Sequence, residues 1–531
     1  MKTIIMDNIR VSVEAAFKEG LDNAIISAVK MRLGTADFEY RGLFHKSIDA
    51  RRKGRINYVL SARIGLDGAI GTEAIKNIRM YKSDKVMALE HGNIEMRNPP
   101  VITGSGPCGL FCALTLALNG YNPIIIERGE DIDSRRDSVR GFWKNGGLDP
   151  ESNVQFGEGG AGTFSDGKLV TRINDNRCDR VIKSFLRNGA PPEIEYEARP
   201  HIGTDALVPV IRSIRKEIEN HGGRFLFKAK LTDINTNGRI KSITVNEEYD
   251  IPADVLVLAI GHSARDTYRM LFDKGFAMVA KPFSAGVRIE HLQKDVDFAQ
   301  WGKQGRFIET AADYSLSSRM DGRAAYTFCM CPGGVVLNAS SENDALNVNG
   351  MSYNSRNGKN ANSAWVAEVK PGDLGTGHPL GGIAFQREIE KAAYMAGGSN
   401  FNAPVQLLGD FINKRKSISF GKIKPSYTGE TLFADINSLL PGFVSNALKT
   451  SLAGFGNKLN CFTDSESILT GCETRTSAPL RILRNDENES NSIKGVYPAG
   501  EGAGYAGGIM SSAVDGIKVA ESIIKLYNYP G

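Results

Sequence analysis

Three glycines with the spacing of a dinucleotide-binding turn form the first candidate site. Gly104, Gly106 and Gly109 follow a short apolar segment that begins at Val101, and an apolar run of helical character continues after them. A second apolar segment ends at Glu127, 18 residues past Gly109. This order of strand, glycine turn, helix, strand and acidic residue predicts a βαβ unit that binds a dinucleotide.

The residue types in this motif suit that task. Gly104 permits the tight turn, Gly106 lacks the Cβ that would obstruct a pyrophosphate, and Gly109 lets the helix pack closely on the strand. The N–H groups at the helix N-terminus attract phosphate, and the Glu127 carboxylate is placed to accept hydrogen bonds from a ribose diol. The alternative is a structural glycine turn in front of a core helix.

Two further glycine-rich segments lie far along the chain. The first is an apolar segment that ends at Gly261, and the second is the segment 495–502. A glycine-rich turn and an apolar helix follow the second segment, with the helix beginning near Ile509. A dehydrogenase that binds only a nicotinamide dinucleotide could do without these segments, so together they favour a flavin.

The three motifs, in this order and at these distances, resemble the FAD-binding domain of the glutathione-reductase-like flavoproteins, which have a two-dinucleotide-binding architecture. More narrowly, the chain resembles an uncharacterised family of bacterial FAD-utilising dehydrogenases from about residue 98 to the end. The segments 157–169 and 329–334 carry the narrower resemblance. It implies FAD as the cofactor and gives no substrate.

The resemblance also implies roles for individual residues. The backbone near Leu231 would bind the adenine, and Glu501, where the superfamily commonly carries Asp, would meet the ribityl chain. Backbone N–H groups at the start of the last helix would stabilise the reduced flavin. The glycine-rich stretch 157–167 would approach the pyrophosphate or the flavin ring, and its alternative is a plain surface loop. The predicted cofactor-binding set is Gly104, Gly106, Pro107, Gly109, Glu127, Arg128, Gly159, Gly160, Gly162, Thr163, Leu231, Gly261, Gly500, Glu501, Ile509 and Met510.

Chemistry beyond the flavin calls for a base or an anion-binding group. Hydride transfer to flavin often needs a base that takes the substrate's proton, and histidine suits neutral pH. An arginine can bind a carboxylate through two hydrogen bonds. The candidates are His262, Arg288, His291 and His378, of which His262, Arg288 and His378 form the predicted catalytic set. Each of them has a structural alternative.

Cys329 and Cys331 raise the question of thiol chemistry. Their CxC spacing differs from the CxxC of disulfide oxidoreductases, and they lie far in sequence from the flavin motifs. We therefore favour buried, inert cysteines over a dithiol coupled to the flavin. The seven histidines are dispersed and paired cysteine ligands are lacking, so no metal site is predicted.

Composition is that of a globular chain with several domains. The 531 residues are 41% hydrophobic and 24% charged, and the net charge of +5 is small for this length. The first residues lack the pattern of a signal peptide, and no apolar run approaches the roughly 18 residues of a membrane span. We expect a cytoplasmic protein that acts on a small-molecule substrate, without a membrane partner and with nucleic acid disfavoured; the oligomeric state is open.

The predicted fold class is α/β, with four sections. A small N-terminal α+β domain, ferredoxin-like in our interpretation, covers 1–97, and a Rossmann-like FAD-binding domain covers 98–279 and 478–531. An inserted substrate domain with an antiparallel sheet covers 280–477 and splits the FAD domain. Alternating segments in this insertion indicate its strands, and an Asn-, Ser- and Gly-rich stretch, 343–362, predicts a mobile loop.

The predicted function is an FAD-dependent oxidoreductase, a dehydrogenase that transfers hydride between flavin and an unidentified small molecule. Only one complete GxGxxG unit is present, so a separate nicotinamide domain is not supported, although NAD(P)H stays open as the electron donor. One alternative is a flavoprotein acting on RNA through the segment 41–55, which holds six basic residues among fifteen. A solvated basic loop is the preferred interpretation of that segment. The other alternative is a non-catalytic flavin-binding sensor or scaffold.

Overall fold

The computed structural model describes residues 2–34, 37–66, 76–81, 89–320 and 322–529. The α-helices are α1 Val13–Glu19, α2 Leu21–Leu33, α3 Pro107–Ala117, α4 Ile132–Asn145, α5 Arg177–Arg187, α6 Thr204–Asn220, α7 Arg265–Asp273, α8 Gln293–Trp301, α9 Gly381–Ala396, α10 Leu408–Ile412, α11 Gly442–Lys458 and α12 Ile509–Leu526. The strands are β1 Lys2–Ser12, β2 Glu39–Asp49, β3 Asn57–Leu66, β4 Ile78–Met80, β5 Val101–Thr103, β6 Ile124–Glu127, β7 Arg224–Phe227, β8 Leu231–Thr236, β9 Ile240–Val245, β10 Tyr249–Pro252, β11 Leu256–Leu258, β12 Met278–Ala280, β13 Phe283–Leu292, β14 Ser317–Met320, β15 Arg323–Cys331, β16 Val335–Asn338, β17 Val348–Met351, β18 Asn360–Val369, β19 Ala403–Leu407, β20 Thr431–Phe433, β21 Ile468–Glu473, β22 Leu480–Ile482 and β23 Val496–Pro498.

A parallel sheet of five strands, in the order β23-β11-β5-β6-β7, carries the three glycine motifs. All neighbouring strands in it run in the same direction. Strands β5, β6 and β11 are wholly buried, as in parallel sheets covered on both faces, which explains their nearly continuous apolar sequences. The motif glycines follow the carboxyl ends of β5, β11 and β23, so they meet at one edge of the sheet.

Helices α3 and α12 pack against each other beside this sheet. A Cβ on Gly109 would lie 1.9 Å from the carbonyl oxygen of Gly104, and one on Gly516 would lie 2.1 Å from the carbonyl oxygen of Cys108. Only glycine allows approaches this close. Because α12 follows β23 near the end of the chain, the C-terminal segment completes the unit that β5 begins.

A second, seven-stranded sheet lies between the two parts of the parallel-sheet unit in sequence. Its order is β14-β15-β18-β13-β21-β19-β20, and its pairs are antiparallel apart from β19 with β20. Helix α11 packs against β14, β15 and β18. The smaller sheets among the described residues are β10-β9-β8, β12-β22 and β16-β17.

The predicted mobile loop at 343–362 is wrong in part, because β17 lies within it and β18 begins at its end. Some of its polar residues, among them Asn347 and Asn362, are buried and hydrogen-bonded instead of solvated. The Asn347 side-chain oxygen accepts from the backbone N–H of Thr474 at 3.1 Å, and that of Asn362 accepts from Nε of Arg288 at 2.8 Å. Amide side chains with such partners can form sheet interior, which composition alone does not reveal.

The N-terminal strands form a sheet in the order β2-β3-β1-β4, and helices α1 and α2 contact β1. The prediction of a solvated basic loop at 41–55 is wrong for its first part, because the residues up to Asp49 belong to strand β2. Within β2, Lys46 pairs with Glu197 at 2.8 Å. Residues 67–75 and 82–88 of the predicted N-terminal domain lie outside the described residues. In the described part of the chain, every helix is too short or too polar to cross a bilayer.

Candidate functional site

A cleft with about 1500 Å³ of atom-free space, its open mouth included, lies at the carboxyl edge of the parallel sheet. One wall comes from the parallel-sheet unit and the other from the seven-stranded sheet. The first wall includes Gly104, Gly106, Pro107, Glu127, Arg128, Gly160, Gly162, Leu231, Gly261, His262, Glu501 and Ile509, and the second includes Phe328, Cys329, Met330, Cys331, Asn349, Gly350, Arg475 and Thr476. The structure therefore brings all three glycine motifs to one cavity.

The turn at Gly106 and the loop around Gly160 face each other across a narrow gap. Gly106 has φ −71°, which any residue can adopt, and the atom nearest to a Cβ built on it is Cα of Gly160 at 3.7 Å. The loop is tied to the turn by the Gly159 N–H, which donates to the Ser105 carbonyl at 2.9 Å. Helix α3 starts here with Pro107 and without a side-chain cap. This backbone cradle suits a phosphate.

A buried arginine on α4 holds the loop in place. The side chain of Arg135 is fully buried, and its nitrogens donate to backbone carbonyls at 2.7 to 3.2 Å. The acceptors are Asn153, Val154, Gly157, Glu158 and Gly160. Burial lowers the pKa of Arg135 to about 10, so the guanidinium stays charged at neutral pH. The sequence analysis did not single out Arg135, because it is one of several charged residues in this helix and no motif distinguishes it.

Glu127 joins the turn and the loop. Its Oε2 accepts from the N–H and the hydroxyl of Ser105 at 2.9 and 2.8 Å, and its Oε1 accepts from the N–H groups of Gly129 and Gly157 at 3.0 and 2.9 Å. A carboxylate offers about four lone-pair positions, so all of them are used. A ribose hydroxyl could replace only the Ser105 hydroxyl, since it alone of the four donors can rotate away.

Arg128, Thr103 and Leu231 all line the cleft. The guanidinium of Arg128 pairs with Glu151 at 2.7 Å and with Asp266 at 2.9 Å, so protein carboxylates already balance its charge. The hydroxyl of Thr103 is buried and has no hydrogen-bond partner among the described residues. An orphaned hydroxyl in a cleft wall fits a polar ligand that would satisfy it.

The opposite end of the first wall is formed by Glu501 and the start of α12. Burial raises the pKa of Glu501 to about 7, and Lys281 opposes this rise. Helix α12 begins after Gly508 without a side-chain cap, and Ile509 lines the cleft with Met510 next to it. Gly500 lies against α3, where its Cβ would be 2.8 Å from that of Cys108. Two uncapped helix N-termini, of α3 and α12, thus point positive ends at one cavity.

The raised pKa of Glu501 makes the stability of the cofactor-free protein depend on pH. The folded state holds the proton more tightly than the unfolded chain does, so Glu501 favours folding below pH 4.5 and loses this contribution as the pH rises through about 7. We expect Glu501→Gln to be less stable relative to wild type at pH 5 than at pH 8, as measured by urea unfolding at both values. A stability difference that is the same at both values would contradict the raised pKa.

His262 is the predicted catalytic residue that the structure places on the cleft. The Ser263 hydroxyl donates to Oε1 of Gln155 at 3.1 Å, so it accepts from Nδ1–H of His262 at 2.9 Å. This network assigns the proton to Nδ1 and leaves Nε2 as an acceptor. Burial, together with Arg475 and Arg265, lowers the pKa of His262 to about 3, so the ring is neutral at physiological pH.

The other predicted catalytic residues lie elsewhere. Arg288 is fully buried behind Gly350, and its Nη1 pairs with Glu473 at 2.9 Å. His291 is buried in the apolar core beside Phe462. His378 is exposed, with its ring 4.6 Å from that of Phe272, and it does not line the cleft. The prediction that Arg288 and His378 contact the substrate is therefore corrected, because neither residue lines the cleft.

A buried ion cluster supports the cleft where its two walls meet. Glu390 on α9 accepts five hydrogen bonds, two from Arg265, two from Arg475 and one from the Thr474 hydroxyl, at 2.6 to 3.0 Å. The side chains of Glu390, Arg265 and Arg475 are at most 2% exposed. Arg475 lines the cleft, so this cluster fixes one of its cationic groups. No motif in the sequence indicated it.

Comparison with known proteins agrees with a flavin-related family. Residues 282–476 match the family described as FAD-dependent protein, C-terminal domain-like. An uncharacterised protein of Clostridium beijerinckii (strain ATCC 51743 / NCIMB 8052) is 46% identical over 516 residues, which cover 94% of this chain and 95% of the relative.

Solved structures resemble the chain more distantly. Glycine oxidase from Geobacillus kaustophilus is 10% identical, with 82% of this chain and 96% of that chain covered and a TM-score of 0.35. Glycerol-3-phosphate dehydrogenase from Bacillus halodurans, solved with FAD, is 10% identical, with 80% and 64% covered and a TM-score of 0.34. Scores this low carry no argument about activity. On the strength of the long match to the Clostridium protein, the chain belongs to the family of that relative, and its residues 282–476 match the region described as FAD-dependent protein, C-terminal domain-like.

Proposed function

We propose that the protein is an FAD-dependent oxidoreductase that transfers hydride between flavin and a small molecule. The observation that carries this proposal is the convergence of three glycine motifs and two uncapped helix N-termini on one cleft with a second wall from the seven-stranded sheet. We further propose that 98–279 and 478–531 bind FAD in the manner of the glutathione-reductase-like flavoproteins and that 280–477 supplies the substrate wall.

The residues present fit FAD. The cradle at Gly106 and Gly160 suits the pyrophosphate, the orphaned Thr103 hydroxyl offers a polar contact, and Glu501, which lines the same cleft, would meet the ribityl chain. Bound FAD would supply the two-electron chemistry. The positive end of α12 would stabilise negative charge on the reduced ring.

Side chains that line the cleft would contact the substrate. The neutral His262 can accept a hydrogen bond through Nε2, and Arg475 also lines the cleft.

The cradle can be tested by filling it. We expect Gly106→Val to weaken FAD binding about tenfold or more, because the new methyl groups would occupy the gap in front of Gly160, whereas the φ of −71° leaves folding unaffected. Flavin fluorescence during titration with FAD measures the affinity, and thermal unfolding of the cofactor-free protein measures the fold. Gly141→Val is the control, since a Cβ at Gly141 meets nothing within 4 Å. Equal FAD affinity of both variants would contradict the assignment of the cradle.

The function itself is tested with the purified full chain. We expect a flavin absorption spectrum, release of FAD on heating, and anaerobic bleaching by a donor from a panel of NADH, NADPH, amino acids and hydroxy acids. A colourless protein that does not take up added FAD would overturn the proposal. A bound flavin that no donor reduces would instead favour a sensor or scaffold, and salt-sensitive binding of RNA would favour a role on RNA.

A further inference from the structure

The CxC segment lies on the cleft, contrary to the expectation of inert cysteines remote from the flavin motifs. Cys329, Met330 and Cys331 all line the second wall. Cys329 is exposed to the cleft, and Cys331 is buried directly behind it. The fold explains this placement, because β15, the second strand of the seven-stranded sheet, pairs with β18, and β18 pairs with β13.

A bulge interrupts the strand at the CxC segment. The register between β15 and β18 shifts between Phe328 and Cys331, and Cys329 has φ +41° in the left-handed region. In a regular strand, residues two apart are separated by about 6.6 Å, close to the upper limit of roughly 6.8 Å between the Cα atoms of a disulfide. The bulge bends this strand, so that Sγ of Cys331 lies 3.3 Å from the carbonyl oxygen of Cys329. The left-handed backbone costs energy and is kept at a functional site more readily than elsewhere.

Two cations hold this bulge. Nη2 of Arg288 donates to the Cys329 carbonyl at 2.5 Å and contacts Sγ of Cys331 at 3.3 Å, and Nζ of Lys168 donates to the Met330 carbonyl. Burial raises the pKa of both thiols, Glu473 adds to this rise at Cys329, and Arg288 and Lys168 oppose it. The pair is thus held as two thiols at neutral pH.

We propose that Cys329 and Cys331 are a redox pair that exchanges two electrons with FAD bound in the cleft. This inference rests on the proposed function. Forming the S–S bond breaks both S–H bonds and releases two electrons and two protons, which oxidised flavin takes up. In the opposite direction the S–S bond breaks, and the two sulfurs recover two electrons and two protons from reduced flavin. Arg288 acts as a positioning residue for both sulfurs.

The first test measures the disulfide without reference to flavin. The full-length protein is treated with diamide, its free thiols are alkylated under denaturing conditions, and its peptides are weighed by mass spectrometry. We expect the peptide with Cys329 and Cys331 to be unalkylated and lighter by two hydrogens, while Cys178 and Cys461, which are partly exposed elsewhere, remain alkylated. Complete alkylation of Cys329 and Cys331 after diamide would overturn the proposal.

The second test counts electrons in the FAD-loaded protein. After diamide treatment, anaerobic titration with dithionite is expected to consume about four electrons per wild-type chain, two for flavin and two for the disulfide, and about two in Cys329→Ser. Cys178→Ser is the control and should take up about four, and thermal unfolding verifies that each variant folds. Uptake of about two electrons by the wild type would overturn the exchange alone. A wild type without a flavin spectrum would overturn both the exchange and the proposed function.

Discussion

Replacing Arg135 with lysine is expected to lower the free energy of unfolding by about 3 kcal/mol or more. The guanidinium satisfies five backbone carbonyls of the loop that covers the glycine turn, and it is fully buried. An ammonium has three donors on one atom and cannot reach acceptors spread around a planar group. Buried carbonyls would lose their partners, and the cradle between Gly106 and Gly160 would lose its shape.

Urea unfolding of the cofactor-free protein and titration with FAD measure both consequences. We expect FAD affinity to fall together with stability in Arg135→Lys, because the same loop supports both. Arg140→Lys on the same helix is the matched control, since Arg140 is exposed and its replacement should leave both quantities unchanged. If Arg135→Lys matched the control, the loop would not depend on the guanidinium.

The second large effect is expected for Glu390→Gln, which should cost about 3–5 kcal/mol of folding free energy. The glutamine would keep the shape of the side chain but leave Arg475 buried without its carboxylate partner, while Arg265 would keep only Glu342. Since these arginines come from α7 and from the segment after β21, the loss would loosen the contact between the two walls of the cleft. Glu388→Gln, exposed on the same helix, is the control and should change the free energy of unfolding little.

The pH dependence gives an independent measure of the same cluster. Burial alone would raise the pKa of Glu390, but Arg265 and Arg475 outweigh it and hold the pKa well below its ordinary value of 4.5. A carboxyl with a depressed pKa stabilises the fold above its unfolded-state pKa and loses this contribution as the pH falls. The stability difference between wild type and Glu390→Gln should therefore be full at pH 7 and shrink below pH 4.5. A difference that is constant with pH would contradict an ionised Glu390.

Local patterns were readable from the sequence because their geometry is set within a few residues. The glycine spacing at Gly104, Gly106 and Gly109 predicts strand, turn and helix, and β5, α3 and β6 follow in that order. Helix α9 is also recognisable from its sequence, since its apolar residues recur at helical spacing. One of the alternating segments that predicted strands in the insertion, 283–290, lies within β13. What these patterns bind stays a prediction until the cofactor is measured.

The positions of the other cleft residues depend on contacts between distant parts of the chain, which local sequence patterns do not reveal. The placement of Cys329 and Cys331 beside the glycine motifs depends on the pairing of β13, β15 and β18, and that of Arg135 depends on a loop about twenty residues further along the chain. His378 and His262 look equally suited to catalysis in the sequence, yet one is exposed beside Phe272 and the other lines the cleft. The sequence by itself determined a dinucleotide-type turn and its glycines, because backbone conformation there depends on missing side chains. Only the tertiary structure decided which charged and sulfur-bearing residues surround it, because their neighbours come from distant parts of the chain.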